Sequence, residues 1–587
     1  MMLLVRMLVG CNLAFNLILS PFFREFIQRI RPGFAKFLPK STWAFRHTWL
    51  NRLFEQVSKK VKERHTSWCA QGRLRTLTLD GVKDNDGGKV NNVGDVINGF
   101  ALFVWSFPAA VRETAAVIKS QVIKALRRAK DDIDCPTALN DAIVLAKYAG
   151  VSSDNTSAMR LGVLQAAAAI PKLIAVGCAS HILDLLAEDI AKLAGIAEII
   201  LMCILLVKVI RTEHIFYHTV KAKRSMGLPH LFPDTRFVYA HETLLDILIR
   251  MADILKMIED EDFAKKHERF YEIVTEPSFW LKLKAIASLF KPIAKAIPFI
   301  GGNASTIDMV YPLYQGGILA DINAWCDNDT YTKLFSEQIL VDISTCLSQR
   351  WSGVHLAGPT PSAYVGLYTP MIYAAHILNP YLKPTAYSEE HGRPAIEAAF
   401  APWATSKVEM NALISEFEEY LCETGIWAKE LADIRKQKED LEAEWNNLAE
   451  GTANAANSKT SSIVAKLTLQ KQDGFMFWKT SAAAKKCKTP LPEIAMRAVQ
   501  VVATSVAAER LNKNRKTIYS KLRVQMVHKR VFKCLYCYTN LRFIHDCPEF
   551  ESTLFADTTW AEQGPNDDEK QEADDQVDVI DSVTALV

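Results

Sequence analysis

Apolar and polar positions follow two different periods along this chain, and the change of period divides it. Arg73 to Asp80 reads RLRTLTLD, and its second half alternates, with Leu77 and Leu79 on one face and Thr76, Thr78 and Asp80 on the other. That alternation predicts a half-buried strand ending in an acid. Asp84 to Lys89, DNDGGK, is a turn signal, so a second strand is expected after it. Val96 to Phe107, VINGFALFVWSF, reads as a third strand, followed by a helix over Ala109–Lys130.

Two further apolar runs, Tyr148 to Val151 and Leu173 to Val176, flank a helical segment from Ala158 to Ala168. Short buried runs separated by a helix predict a βαβ unit. Asp154 follows the first run, and an acid at the C-terminal end of such a strand is well placed to act on a ligand. Taken alone, the same junction reads as the N-cap of the next helix.

Elsewhere the period is helical. Residues 12–64 read as helix with breaks at Pro32 and Pro39. Phe22, Phe23, Phe26, Ile27 and Ile30, and then Leu53, Phe54 and Val57, recur at helical spacing and are expected to pack in a core. Leu244 to Ile258, Leu281 to Ile300 and Phe335 to Leu347 repeat the pattern, while Lys407 to Ala449 is a charge-rich amphipathic helix or helix pair. Gly451 to Ser462 is expected to be a loop. A helical stretch ending in TSVAAER delivers Glu509, and beyond Glu549 the acidic, aromatic-poor tail is expected to be disordered.

Composition changes this picture little. Of 587 residues, 49% are hydrophobic and 23% charged, values that promise a sizeable core. The twelve cysteines are scattered, which fits reduced thiols better than a disulfide framework. Met1 to Pro21 carries Arg6 and two Asn, and Ala191 to Ile210 carries Lys192, Glu198 and Lys208. Both read as buried helices, so no membrane partner is expected; a signal peptide at residues 1–20 is the minor reading.

Three antiparallel strands, a helix and a βαβ unit match the element order of a ribonuclease H-like fold, with Asp80 on the first strand and Asp154 after the fourth. Ordered motifs then extend the likeness. Leu77-Thr78-Leu79-Asp80-Gly81, Ser153-Asp154-Asn155, Cys178 to Leu185 with its Cys178 and His181, Thr235-Arg236-Phe237, Phe279-Trp280, Arg350-Trp351, Ala374 to Pro380, Thr504 to Arg510, Ile518 to Arg523 and Asn540-Leu541-Arg542 occur in sequence. In this the chain resembles the hAT (hobo/Ac/Tam) transposases, in particular the branch with domain of unknown function 659 and a C-terminal dimerisation region. Val82 stands where the family has Trp, and Leu511-Asn512-Lys513 where it has an aromatic and a Ser.

The resemblance implies an α/β protein with a ribonuclease H-like core interrupted by a large all-α insertion. Its parts would be a helical segment (1–72), the first part of the core (73–190), the insertion (191–480), the end of the core with the dimerisation region (481–548) and the acidic tail (549–587). Asp80, Asp154 and Glu509 would be the three acids holding Mg²⁺ or Mn²⁺ for DNA strand cleavage and transfer. Carboxylate oxygens suit these hard ions. Cys178, His181, Arg236 and Trp351 occupy family motif positions. DNA and a second copy of the chain are the implied partners, and the nucleus the implied location. Nothing before Asp80 has the paired Cys and His of a BED-type zinc finger, so a truncated or domesticated copy, not mobile on its own, is expected. The alternative is an inactive, dimerising nucleic-acid-binding or regulatory protein.

Other clusters are less specific. Arg510, Lys513, Arg515, Lys516, Lys521 and Arg523 form the densest basic run, which suits phosphate contacts and a solvated helix face equally. Cys534, Cys537, His545 and Cys547 have zinc-binding side chains at unusual spacing. Cysteines at i and i+3 are more simply small buried hydrophobes, so zinc is not expected. Glu188 and Asp189 read as a surface face, and His214 with His218 lacks a third ligand.

Overall fold

Alternation by twos builds one five-stranded sheet. In the computed structural model, which describes residues 1–83, 89–109, 113–128, 140–213, 238–353, 366–384, 386–450, 458–469, 474–518 and 528–541, the strands are β1 (Arg75–Lys83), β2 (Lys89–Ile97), β3 (Phe100–Ala109), β4 (Tyr148–Ser153) and β5 (Ile174–Gly177). Their order is β3-β2-β1-β4-β5. β1, β2 and β3 pair antiparallel, while β4 and β5 run parallel to β1. The protein is therefore an α/β fold, mostly helical around a mixed sheet. Its described chain divides into two compact units, one holding Met1–Cys178, Gly302–Thr306 and Gln500 to Leu541, the other Ala179–Gly301 and Ile307–Val499.

The first unit opens with α1 (Met2–Gly10), α2 (Pro21–Ile30) and α3 (Leu50–Ala70). Leu4, Val5, Leu8 and Val9 of α1 are buried, as are Leu53 and Val57 of α3. The expectation for α2 is corrected in part. Phe23 and Ile27 pack, partly buried, against the core, whereas Phe22, Phe26 and Ile30 are 83%, 57% and 65% exposed.

The expected third strand is also corrected. Val96 and Ile97 close β2, and Asn98 and Gly99, both at positive φ (51° and 78°), turn the chain before Phe100. An Asn-Gly pair in the left-handed region is the favoured two-residue hairpin loop. The DNDGGK signal falls largely outside the described residues, although Lys83 pairs with Lys89 on either side of it. Residue 109 belongs to β3, and α4 spans Ala115–Leu126 with the Thr114 hydroxyl capping the Val117 amide.

One face of the sheet is apolar. Leu77, Leu79, Val93 and Val151 pack with Ile118 and Val122 of α4 and with Met159 and Val163 of α5 (Ser157–Ala168). Each such side chain withdrawn from water contributes roughly 1.5–3 kcal/mol. The opposite face carries Thr76, Thr78, Asn92 and Ser152, and these are fully buried too. β1 is thus covered on both faces, where a half-buried strand was expected.

The second unit is helical. It begins with α6 (Ala179–Ala191) and α7 (Ala194–Thr212), bent by 94° to one another. Among the described residues no single helix is long and apolar enough to cross a membrane. Further helices include α8 (Pro277–Ile300), α9 (Glu337–Ser352) and α10 (Pro370–Leu378), then the pair Lys407–Leu421 and Ala428–Glu450. Of the loop expected over Gly451 to Ser462, residues 451–457 lie outside the described residues, and from Lys459 the chain is helix, Asp321 accepting from the Lys459 and Thr460 amides.

The chain then returns to the first unit as α11 (Val506–Ile518) and α12 (His528–Asn540). The covering of the polar sheet face comes from here. Thr76 Oγ1 donates to the Gln500 carbonyl at 3.3 Å and accepts from the Val502 amide at 3.1 Å. Val501 sits over Gly150 and Leu511 over Gly94, so close that a Cβ at either glycine would meet them at 3.0 and 3.3 Å. α12 packs on β3: Asn540 exchanges hydrogen bonds with both backbone groups of Phe103, and Phe532 meets Trp105 with ring centroids 4.4 Å apart. Cys534 and Cys537 are buried in this same cluster, while His545 and Cys547 lie outside the described residues.

Candidate acid site on the polar sheet face

Backbone register sets Asp80 and Asp154 next to each other. In the parallel pairing of β1 with β4, Thr78 lies opposite Ser152 and Leu79 opposite Ser153. The following residue on each chain is an acid, and the Asp154 amide donates to the Leu79 carbonyl at 3.4 Å. Asp80 continues the face of Thr76 and Thr78, since alternate residues of a strand point the same way.

Asp154 Oδ1 accepts from both the amide (3.2 Å) and the hydroxyl (3.0 Å) of Thr156, a local turn that leads into α5. Asp154 is not the N-cap, a place that falls to Thr156 two residues on; the turn holds its carboxylate beside the end of β4. Behind it, Asn155 Nδ2 donates to the Cys178 carbonyl at 2.9 Å and the Cys178 amide donates to Ser153 O at 2.9 Å. Cys178 Sγ accepts from the Ser505 amide at 3.3 Å and lies 3.2 Å from Thr504 Oγ1. This thiol joins the end of β5 to the residues that lead into α11. Its role here is positional. His181 lies exposed on α6.

From α11 come Glu509, half-buried, and Asn512 one turn later. Asn512 touches Asp80: its Nδ2 donates to Asp80 Oδ2, and its Oδ1 accepts from Asn92 Nδ2. Asn92 is directly opposite Asp80 in the β1–β2 register. Neither amide was singled out in the sequence. The spacing of Asn512 from Glu509 puts both on one helix face, and that was the available signal.

The strand expected to end at Asp80 runs on to Lys83, so Asp80 lies within β1 while Asp154 follows the end of β4; two hard carboxylates on adjacent strands have donor chemistry that fits divalent Mg²⁺ or Mn²⁺. Among the described residues, however, no three His, Cys, Asp or Glu side chains converge closely enough to hold a metal ion. Asp80 and Asp154 follow the paired residues Leu79 and Ser153, and the Asn512 amide of α11 reaches Asp80.

The basic run divides. Arg515 is 1% exposed and donates to Ser106 Oγ at 3.1 Å, so its guanidinium is turned into the sheet and not toward a phosphate; that expectation is corrected. Arg510 is half-buried and donates to Asn303 Oδ1 at 3.2 Å. The side chains of Lys513 and Lys516, and all of Lys521 and Arg523, lie outside the described residues, as do Arg236, His214 and His218.

Within the second unit, Trp351 is buried and stacks on Tyr314 with ring centroids 4.8 Å apart. Arg350 reaches Asp189 with Nε at 2.6 Å and Nη2 at 3.1 Å. Asp189 is therefore one half of a largely buried two-pronged ion pair and not part of a solvated face, because the forked guanidinium matches a carboxylate. Glu188 pairs with Lys192 one turn on.

Asp95 was missed as well. It is fully buried on β2, with Arg75, Arg128 and Tyr148 around it. A lone acid inside the apolar run VGDVI was the clue.

No protein-family model matches this chain, and a search of curated proteins finds no match.

Proposed function

We propose that the chain is a transposase-derived protein of the hAT type, its sheet a ribonuclease H-like core with a metal-dependent site for DNA strand cleavage and transfer. The observation carrying this reading is the β1–β4 register. It brings Asp80, within β1, beside Asp154, at the end of β4, while α11, which bears Glu509, docks on the same face. The strand order β3-β2-β1-β4-β5 also supports it.

In this reading Asp80 and Asp154 hold the cation and Glu509 completes its ligands from α11. When bound, Mg²⁺ or Mn²⁺ supplies the Lewis acidity for in-line phosphoryl transfer. The chain's own residues set the geometry: Thr156 orients Asp154, Asn512 orients Asp80, and Cys178 anchors the approach to α11. Arg510, Lys513, Lys516, Lys521 and Arg523 are the proposed phosphate contacts. A nuclear location and a homodimer assembled through the C-terminal region belong to the same proposal.

A second reading is a domesticated, dimerising protein that binds DNA without cutting it. It is favoured by the amide on Asp80 and by the lack of a converged three-acid group among the described residues. Binding to duplex DNA at increasing salt tests the part both readings share. Affinity should fall linearly in a log–log plot, with a slope of roughly −0.9 per phosphate neutralised. Absence of any DNA binding at low salt would remove both readings and leave a protein-interaction scaffold.

A further inference from the structure

Two segments from opposite ends of the chain build one corner of the first unit. Trp43 to Phe54, WAFRHTWLNRLF, runs into α3, and His528 to Leu541, HKRVFKCLYCYTNL, covers α12; neither contains an acid. They meet where Lys533 Nζ donates to Asn51 Oδ1 at 2.7 Å and where Arg530 Nη2 lies 3.5 Å from His47 Nε2. Arg52 lies over the Trp49 ring, 4.9 Å from its centroid, and Arg46 donates to Asn16 Oδ1 at 3.4 Å. These cations thus meet amides and rings. Burial and then the charge of Lys529 hold the Lys533 ammonium below its ordinary value, although the neighbouring Glu55 opposes this.

Trp43 stands at this corner, 64% exposed. Its ring is stacked on that of His47, one turn on, with centroids 5.0 Å apart and planes 24° from parallel. One face of the indole is therefore backed by a flat ring and the rest is turned to solvent.

We propose that this corner binds single-stranded nucleic acid, with an unpaired base stacked on Trp43 and its phosphates met by Arg46, Arg52, Lys529, Arg530 and Lys533. The proposal goes beyond the acid site and does not rest on it. A ring held flat, with cations around it and no acid in either segment, supplies both things a single strand offers partners for: a base face and a charged backbone. Three of the five cations are guanidinium groups, whose fork matches a phosphate. A duplex keeps its base faces inside the stack, so the indole has nothing to gain from one. A lipid surface would suit a side chain inserted end-on among acyl chains better than one laid flat on an imidazole.

The test is fluorescence anisotropy of a labelled oligodeoxythymidylate titrated with the full-length protein, in a series of salt concentrations. Trp43→Ala should weaken binding roughly five- to 150-fold, the worth of one stacked base, while Trp43→Phe keeps most of the affinity. Arg52→Gln and Lys529→Gln, both at exposed positions, should each make the log–log salt dependence shallower by roughly 0.7, the share of one phosphate on a single strand. Thermal melting of these variants should match wild type; if Trp43→Ala melts early, the two salt slopes decide. Wild-type affinity in Trp43→Ala, or unchanged slopes in both charge variants, overturns the proposal. So does a wild type that binds duplex and not the single strand, a result that leaves the proposed function standing. Phosphatidylserine vesicles that hold wild type and release Trp43→Ala, while the oligonucleotide binds both equally, would make the corner a lipid anchor instead and overturn it too.

Discussion

The fully buried carboxylate of Asp95 accepts a hydrogen bond from Arg128 Nη2 at 2.8 Å. Arg75 Nη1 lies 3.4 Å from the same oxygen and the Tyr148 hydroxyl donates to it at 3.1 Å. Burial opposes the charge on Asp95, but Arg128 and then Arg75 hold its carboxyl below the usual carboxylate range. The network ties β2 to the start of β1, to β4 and to the end of α4. Asp95→Asn keeps the shape and leaves two guanidinium groups uncompensated, which should cost about 3–5 kcal/mol. Urea unfolding followed by circular dichroism checks this; a loss below about 1 kcal/mol would mean that solvent reaches the cluster.

Acid should weaken the fold through buried histidines. Burial first, then the positive charge of Arg75, lowers the His65 pKa from 6.5 to about 3. His376 is likewise lowered to about 3, by burial and then Lys438. The unfolded chain binds these protons below pH 6.5 and the folded chain does not, so stability is complete above pH 6.5 and falls as the pH drops toward 3. Each histidine contributes a slope of about 1.4 kcal/mol per pH unit. Asp95, depressed in the folded state, adds a loss that begins near its unfolded pKa of about 3.9. Denaturant midpoints at pH 8, 6.5, 5.5 and 4.5 should be level and then decline, with a shallower decline in His376→Gln. A rising midpoint between pH 6.5 and 5 would contradict the assignment.

Helices α4 and α5 touch at Gly162. A Cβ there would lie 2.5 Å from Ile118 Cβ and 2.8 Å from the Ala115 carbonyl. Gly162→Ala should therefore force the helices apart and cost about 1–3 kcal/mol. Gly33, where an added Cβ meets nothing within 4 Å, is the matched control. Its alanine variant should be neutral or slightly stabilising by equilibrium unfolding.

Cys178 offers a prediction about the site as well as the fold. Its sulfur is an acceptor for the buried Ser505 amide. Cys178→Val fills the space without an acceptor and leaves that amide unsatisfied, at a cost of about 1–3 kcal/mol. Because Ser505 leads into α11, the same variant should lower Mn²⁺ affinity, while Cys203→Val, a change at a buried thiol in α7, should leave it unaltered.

Much of the sheet could be read from the chain because period-two alternation reports side-chain direction directly. Leu77 and Leu79 against Thr76, Thr78 and Asp80 is such a record, and the Asp80–Asp154 adjacency follows once β1 and β4 pair. Alternation does not say what covers the polar face. Thr76 and Thr78 looked solvent-facing because their hydroxyls find partners more than four hundred residues away, at Gln500 and Val502, or on the backbone of β2. The same limit governs α2, whose Phe22, Phe26 and Ile30 repeat at core-like spacing yet stand exposed. Amphipathicity reveals a face and not its partner. Asn512 escaped notice because an amide between Leu and Lys has no pattern of its own. Its meaning comes only from meeting Asp80 and Asn92. Asn98-Gly99 was readable and overlooked, an ordinary hairpin turn inside a run of apolar residues.

The most direct measurement is nicking of supercoiled plasmid in Mn²⁺ by the wild-type chain and by Asp80→Asn, Asp154→Asn and Glu509→Gln. The proposed function predicts nicking by wild type, loss of at least a hundredfold in each variant, and unchanged binding of the plasmid at low salt. Nicking that persists in Asp154→Asn, or a wild type that binds DNA and never cuts it, would contradict a working acid site on β1 and at the end of β4.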